Sequence, residues 1–266
     1  MKKLFFISAI LISASVIAQP KIINQAIITA KTTISLPEDM ANMGDGQGFM
    51  GMSNGDETKI TTWFKNDMIK IVSDGGMGKN TTIIDKKNKK TTTLMEMMGK
   101  KTGFYSTEED DMNMKKRTDS MMAARRNAVK SIDIDYLDET KKISGYSCKK
   151  ALIRTARENG RVDSMYVWYT PDFKMAEGYV FRGGMMMGMG GGNMSSFDKL
   201  NGFPIQYEMK MRRGMTITIE VTKIDTEKAI DDKEFDIPKG FELKSMKEMQ
   251  GQGGGFQFRM MGGGNQ

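Results

Sequence analysis

The sequence predicts a mainly β fold of the α+β class. We expect one exported domain built on a long, curved antiparallel sheet with one or a few helices. Three observations carry this. Apolar and polar residues alternate with period two through most of the chain, the period of a half-buried strand. Turn residues punctuate the alternating runs. A single segment combines charge with Ala, Met, Arg and Lys and contains neither Gly nor Pro.

The elements follow in chain order. "MKK" and the apolar run "LFFISAILISASVIA" read as a secretory signal peptide over residues 1–18, with Val16 and Ala18 at the small cleavage positions. Gln19 would then be the first mature residue. The run is too short for a comfortable membrane span, and no later run is long enough. The expected location is therefore periplasmic or extracellular, with no transmembrane segment.

A single domain is expected over residues 19–246. "KIINQAIITAKTTISL" opens it with β-branched residues. "TKITTWFKN" and "DMIKIVSD" follow, turning at Asn66 and Asp67. "TTIIDKKNKKTTTLMEM" reads as a hairpin about residues 87–90, and "KTGFYSTEE" as a further strand. Part of residues 111–130, "DMNMKKRTDSMMAARRNAVK", is expected to be helical, with a charged crossover linker as the alternative. Strands then resume. Asn159 and Gly160 give the clearest hairpin signal, since both residue types tolerate positive φ. A last hairpin turns near residues 212–214, and Phe235, Ile237 and Phe241 are expected to anchor the close of the domain.

Charge and composition remove several function classes. The formal net charge is +7, and Lys2 and Lys3 of the leader account for two of it, leaving +5. Basic and acidic residues are interleaved, which fits a solvated surface and argues against nucleic acid. The chain has no histidine, so Ser-His-Asp and Cys-His catalysis and imidazole-based zinc sites are absent. No carboxylate or lysine constellation stands out, and we expect no enzyme. Cys148 is the only cysteine and reads as a small buried hydrophobe. "GGMGKN" lacks the spacing of a phosphate loop and reads as a hairpin turn.

Three Gly- and Met-rich tracts interrupt the alternation, and the chain holds 28 methionines. Two are read as long loops, residues 39–55 and 182–197. The third is a disordered tail, residues 247–266. Thioether sulfur suits Cu(I), which makes Met185, Met186, Met187, Met189 and Met194 the candidate metal ligands. Copper sites of this kind usually add His or Cys, and here methionine is also scattered over the strands. An adaptable apolar surface, a sink for oxidants and an insertion with no dedicated role are the alternatives. No other cofactor is indicated.

Four motifs in order carry a resemblance: "KKISGYSCKKALIRT", "VWYTPDF", "NGFPIQYEMK" and "IDDKEFDIPKGFEL". Together with "MIKIVSDGG" and "TTIIDKKNKKTTTLME" they resemble a secreted domain of unknown function widespread in Gram-negative bacteria. That family is similar to the LolA/LolB lipoprotein carriers and related periplasmic lipid-binding proteins. The resemblance covers roughly residues 27–246 outside the Met/Gly tracts. It implies an open half-barrel with helices on the concave side, and a cavity for an acyl chain or a lipoprotein tail. The expected partner is an apolar ligand or lipoprotein, with an envelope protein as the alternative. Trp63, Tyr146, Tyr166, Trp168, Phe181 and Phe203 are the candidates to line such a cavity. In "SMYVWYT", Tyr166 and Trp168 fall on one face and Val167 and Tyr169 on the other, so core and cavity wall are both open for this strand.

Overall fold

The computed structural model describes residues 20–38, 54–76, 78–124, 128–175, 194–210 and 214–251. The signal-peptide segment lies outside them. Most of these residues belong to one open 12-stranded sheet. Six strands run as a meander: β2 (Gln25–Ser35), β3 (Glu57–Lys65), β4 (Met68–Gly75), β5 (Gly78–Asp85), β6 (Lys90–Met97) and β7 (Lys100–Thr107). A second run comprises β8 (Val129–Ile143), β9 (Tyr146–Arg157), β10 (Val162–Thr170), β12 (Phe203–Lys210) and β13 (Thr216–Asp225). The two runs join where β13 pairs with β2. All these pairings are antiparallel, as the alternation requires.

Two parallel pairings were not legible in the pattern. β1 (Lys21–Ile23) pairs with β11 (Phe173–Met175), so the opening run breaks at Asn24, whose carbonyl accepts from Asn66 N–H at 3.1 Å. β14 (Leu243–Ser245) pairs with β7 and forms the sheet edge. A Cβ at Gly103 would overlap Leu243, so glycine lets β14 lie close.

The turns follow the sequence signals with one difference. Asn66 takes φ 51° between β3 and β4, as expected for a turn asparagine. At the β9–β10 hairpin only Gly160 takes positive φ, at 82°. Gly160 N–H donates to Arg157 O at 3.0 Å, and Asn159 Oδ1 accepts from Arg161 N–H at 3.0 Å. The connection is thus a longer turn closed by a left-handed glycine, with the Asn side chain occupied by its own backbone.

Helix α1 (Glu108–Ala124) starts three residues before the expected segment. Thr107 and Asp110 explain the early start: Asp110 accepts from Thr107 N–H at 3.0 Å, and Thr107 Oγ1 accepts from Asp110 N–H at 3.4 Å. This is a reciprocal cap, reinforced by four acidic residues in the first turn. Ser245 and Glu248 form the same reciprocal pair at α2 (Met246–Gly251), where the sequence suggests only tail.

The connection through α1 requires the sheet to curve. It leaves β7 at one margin and enters β8 at the other, ten strand spacings away. In a flat sheet those points would be roughly 53 Å apart, given about 4.8 Å between strands and the length of one strand. The helix spans about 24 Å, and the six flanking links reach at most roughly 22 Å. The chain is too short for a flat sheet.

Register separates two unlike faces. One, the core face, carries Ala26, Ile28, Ala30 and Ile34 of β2, all at most 2% exposed. It continues through Phe64, Ile69, Val167, Ile205, Ile219 and Val221. The opposite face begins as a row of charges across neighbouring strands: Glu220, Lys31, Lys59, Asp74, Lys79 and Glu96. Further along, it is covered by the segment from Asp225 to β14. There Phe235, in a 3-10 turn at Asp232–Phe235, is 7% exposed. Phe235 anchors as expected. Ile237 does not, being 40% exposed, and Phe241 is half-buried beneath Lys101.

Candidate functional site: an uncharged core face

The core face divides into two apolar groups. The larger gathers side chains from β2, β9, β10, β12 and β13, together with Ile23, Phe173 and Leu200. The smaller holds Ile60, Phe64, Ile69 and Ile71 of β3 and β4, with Ile84 packed against it. Met175, the last residue of β11, packs against both. The β1–β11 pair therefore lies over the core face at the junction of the two groups. A second short cover is the 3-10 turn Met194–Lys199, whose Phe197 ring meets Tyr207 edge-on at 4.7 Å.

The six aromatic candidates do not converge. Phe203 is 3% exposed and stacks on Phe173 at 5.4 Å. Tyr146 meets the same Phe173 edge-on at 6.3 Å. Its hydroxyl accepts from Ile224 N–H at 3.0 Å and donates to Ile224 O at 3.2 Å. The backbone N–H and C=O of Ile224, just past the irregularity of β13, are thus satisfied by a side chain. These two aromatics belong to packed core at one end of the sheet.

Tyr166 and Trp168 stand on the other face. Val167 and Tyr169 point into the core at 0% and 5% exposed, whereas Tyr166 is 54% exposed. The outward face of β10 is covered by lysines instead of by a cavity. Lys150 Nζ sits 4.8 Å from the Tyr166 ring and 5.5 Å from the Trp168 ring, and Lys141 lies 5.6 Å from Trp168. Glu139 holds Lys150 with contacts of 3.0 and 2.9 Å. Trp63 is also outward, beneath Lys70 at 5.2 Å. Lys70 Nζ donates to Glu234 O at 2.6 Å, so Trp63 packs under the C-terminal cover. The structure brings Phe203 and Tyr146 together at Phe173 and packs Trp168 against the same apolar group, whereas Trp63 alternates onto the face opposite Phe64 and Tyr166 is exposed. Phe181, Met185, Met186, Met187 and Met189 lie outside the described residues. So does the Met194 side chain, although its backbone begins the 3-10 turn.

The titratable groups are engaged in fastening the fold. Burial pushes the Cys148 thiol up to about 11, which keeps it protonated and unreactive. The Asn88 backbone and side chain hold Asp85 below the usual carboxylate range. Asp85 borders a cleft of about 300 Å³ between the β3–β4 and β5–β6 turns and the 3-10 turn at Asp232. Lys65 Nζ closes it, donating to Ile230 O at 2.9 Å and pairing with Asp232 at 2.6 Å. These contacts clip the C-terminal segment to the sheet. Among the described residues, no three His, Cys, Asp or Glu side chains gather as a metal site.

What sequence reasoning missed is the hydroxyl content of the core face. Thr32, Thr62, Ser73 and Thr82 are 3–7% exposed there. The signal was present as the β-branched polar residues of alternating runs, which read equally well as solvent-facing.

A family model matches residues 47–241, from before β3 to the close of the domain. The chain belongs to the family described as Domain of unknown function (DUF4412). The DUF4412 match contains both apolar groups of the core face apart from β1 and β2. No curated protein matches the chain. Among solved structures it is similar to PNGF-II, with 16% identity and a TM-score of 0.35 over 86% of this chain and 33% of that one. The chain thus spans about a third of PNGF-II's length. It is also similar to a LolA superfamily protein from Nitrosomonas europaea, with 7% identity and a TM-score of 0.31 over 80% of this chain and 90% of that one. Neither likeness assigns a ligand to this DUF4412 chain.

Proposed function

We propose that this protein is an exported, non-enzymatic carrier that holds an apolar ligand, such as a lipid or a lipoprotein acyl chain, against the core face of its sheet. The observation that carries the reading is the face of β2–β6. It is buried over much of its area, and no register position on it bears a charged side chain. An acyl chain placed there would gain about 0.8 kcal/mol for each methylene removed from water. Export is inferred from the signal-like leader. In the described residues no helix is long and apolar enough to cross a membrane. The chain has no histidine, and among the described residues no three His, Cys, Asp or Glu side chains gather; both support a reading of binding without catalysis.

The test is solvent extraction of the purified full-length protein followed by lipid mass spectrometry, together with titration of a neutral naphthylamine dye. A stoichiometric extract, or saturable dye enhancement displaced by an acyl compound, is the expected result. An empty extract combined with no dye uptake would remove the reading.

A further inference from the structure

The β1–β11 pair lies over the core face and belongs to neither run of the large sheet. It forms a two-stranded sheet of its own, outside the 12-stranded ladder. Its two strands are tied at opposite ends. β11 follows β10 through Pro171 and Asp172, and Asp172 O accepts from Lys21 N–H at 3.1 Å. β1 passes into β2 through Asn24. Because the pairing is parallel, both strands travel from the β10 side to the β2 side, past the intervening β12 and β13. The pair is held down by side chains. Ile23 and Phe173 sink into the larger apolar group, where Phe173 stacks on Phe203 at 5.4 Å. Met175, at the β2 end, reaches on to the group of Ile60, Phe64, Ile69 and Ile71. It is the one described member of that group from outside β3–β5. A two-stranded ribbon has little stability of its own, and parallel pairing is weaker still. An element with so few backbone bonds opens at a lower free energy than the central strands of a sheet.

We propose that β1–β11 is a strap that parts to admit an apolar ligand to the core face, with Asn24 and Asp172 as its hinges and Met175 as its bolt. This rests on the carrier reading and adds how the ligand enters. Since the strands are tied at opposite ends, β1 swings about Asn24 and β11 about Asp172. Parting strips Ile23, Phe173 and Met175 of apolar partners, which is unfavourable in water. An acyl chain laid against the same residues replaces the lost contacts. The ligand therefore favours the parted form by its differential affinity, and the strap sets how fast it enters.

The test is a reversible lock. Ile22 and Lys174 are register partners, and Ile22 is exposed. Paired strands lie about 4.8 Å apart, within reach of a disulfide. The native thiol, Cys148, is buried and stays out of the exchange. Uptake of a neutral naphthylamine dye by delipidated full-length protein is followed by stopped-flow fluorescence. The oxidised Ile22→Cys/Lys174→Cys protein should take up dye roughly ten-fold more slowly than the same protein after reduction, which should match wild type. Met175→Ala, shown folded by thermal melt, should take it up several-fold faster than wild type. Equal rates in the oxidised and reduced protein, or a wild-type rate in folded Met175→Ala, would overturn the strap and leave the carrier reading standing. If the disulfide does not form, the Met175→Ala rate decides alone. If wild type and the reduced protein both exclude the dye, strap and carrier reading fall together.

Discussion

Asp163 shows how charge is used at the scale of a residue. Arg157 and Arg161 each place Nε 2.6 Å from one of its oxygens. Burial alone would raise its pKa, but the Arg157 hydrogen bond and charge, followed by Arg161, outweigh it and hold the carboxyl below its usual 3.8. A carboxyl lowered in the folded state contributes stability above its unfolded pKa, and that contribution fades as pH falls through the folded value. Asp163→Asn should therefore cost about 1 kcal/mol at neutral pH, and the gap to wild type should close in acid below the carboxyl's lowered folded value. Urea midpoints at the two pH values measure this, and an equal gap at both would contradict it. Cys148 makes a second prediction. With its thiol buried and raised to about 11, it should resist a thiol-specific disulfide reagent in the native protein and react fully in urea. Fast labelling of the folded protein would place the thiol at the surface. Both residues were readable in part: Cys148 as a buried hydrophobe from its alternating run, and the Arg157–Asp163–Arg161 cluster only once the β9–β10 turn fixed its register.

At the scale of elements, the strands were legible because alternation is local, whereas their neighbours were not. Nothing in "KIINQAIITAKTTISL" says that its first three residues leave the sheet to pair with residues 173–175. Nothing in "VWYTPDF" says which of its faces is covered by protein and which by lysine. Facing is decided by long-range register, and that is why the sequence alone cannot say which of Trp63, Tyr166 and Trp168 pack with Phe203. The C-terminal segment is the element whose role emerged from structure. Lys65 and Lys70 reach across to Ile230, Asp232 and Glu234, and Phe235 fills the space they frame. Phe235→Ala should cost about 3–4 kcal/mol. It should also raise hydrogen exchange in β3–β5 more than in β9–β12. Uniform exchange across the sheet would mean that the segment is not an independent fastener.

For the whole molecule, the decisive property is asymmetry between the faces of a single open sheet. One face carries a mixed row of charges and aromatic–lysine pairs and is solvated or clipped by the C-terminal segment. The other is free of charge across β2–β6 and mixes apolar side chains with buried hydroxyls. The sequence made the open sheet readable through the number of alternating runs and the single helix. It could not reveal which hydroxyls are buried, because a threonine in an alternating run fits either face until pairing places it. The measurement that tests the carrier account most directly is native mass spectrometry of the full-length protein purified from the envelope without detergent. The account predicts a population heavier than the bare chain that releases an apolar molecule on collisional activation and reforms when the stripped protein is incubated with monooleoylglycerol. A single species at the bare mass that gains nothing on incubation would contradict it.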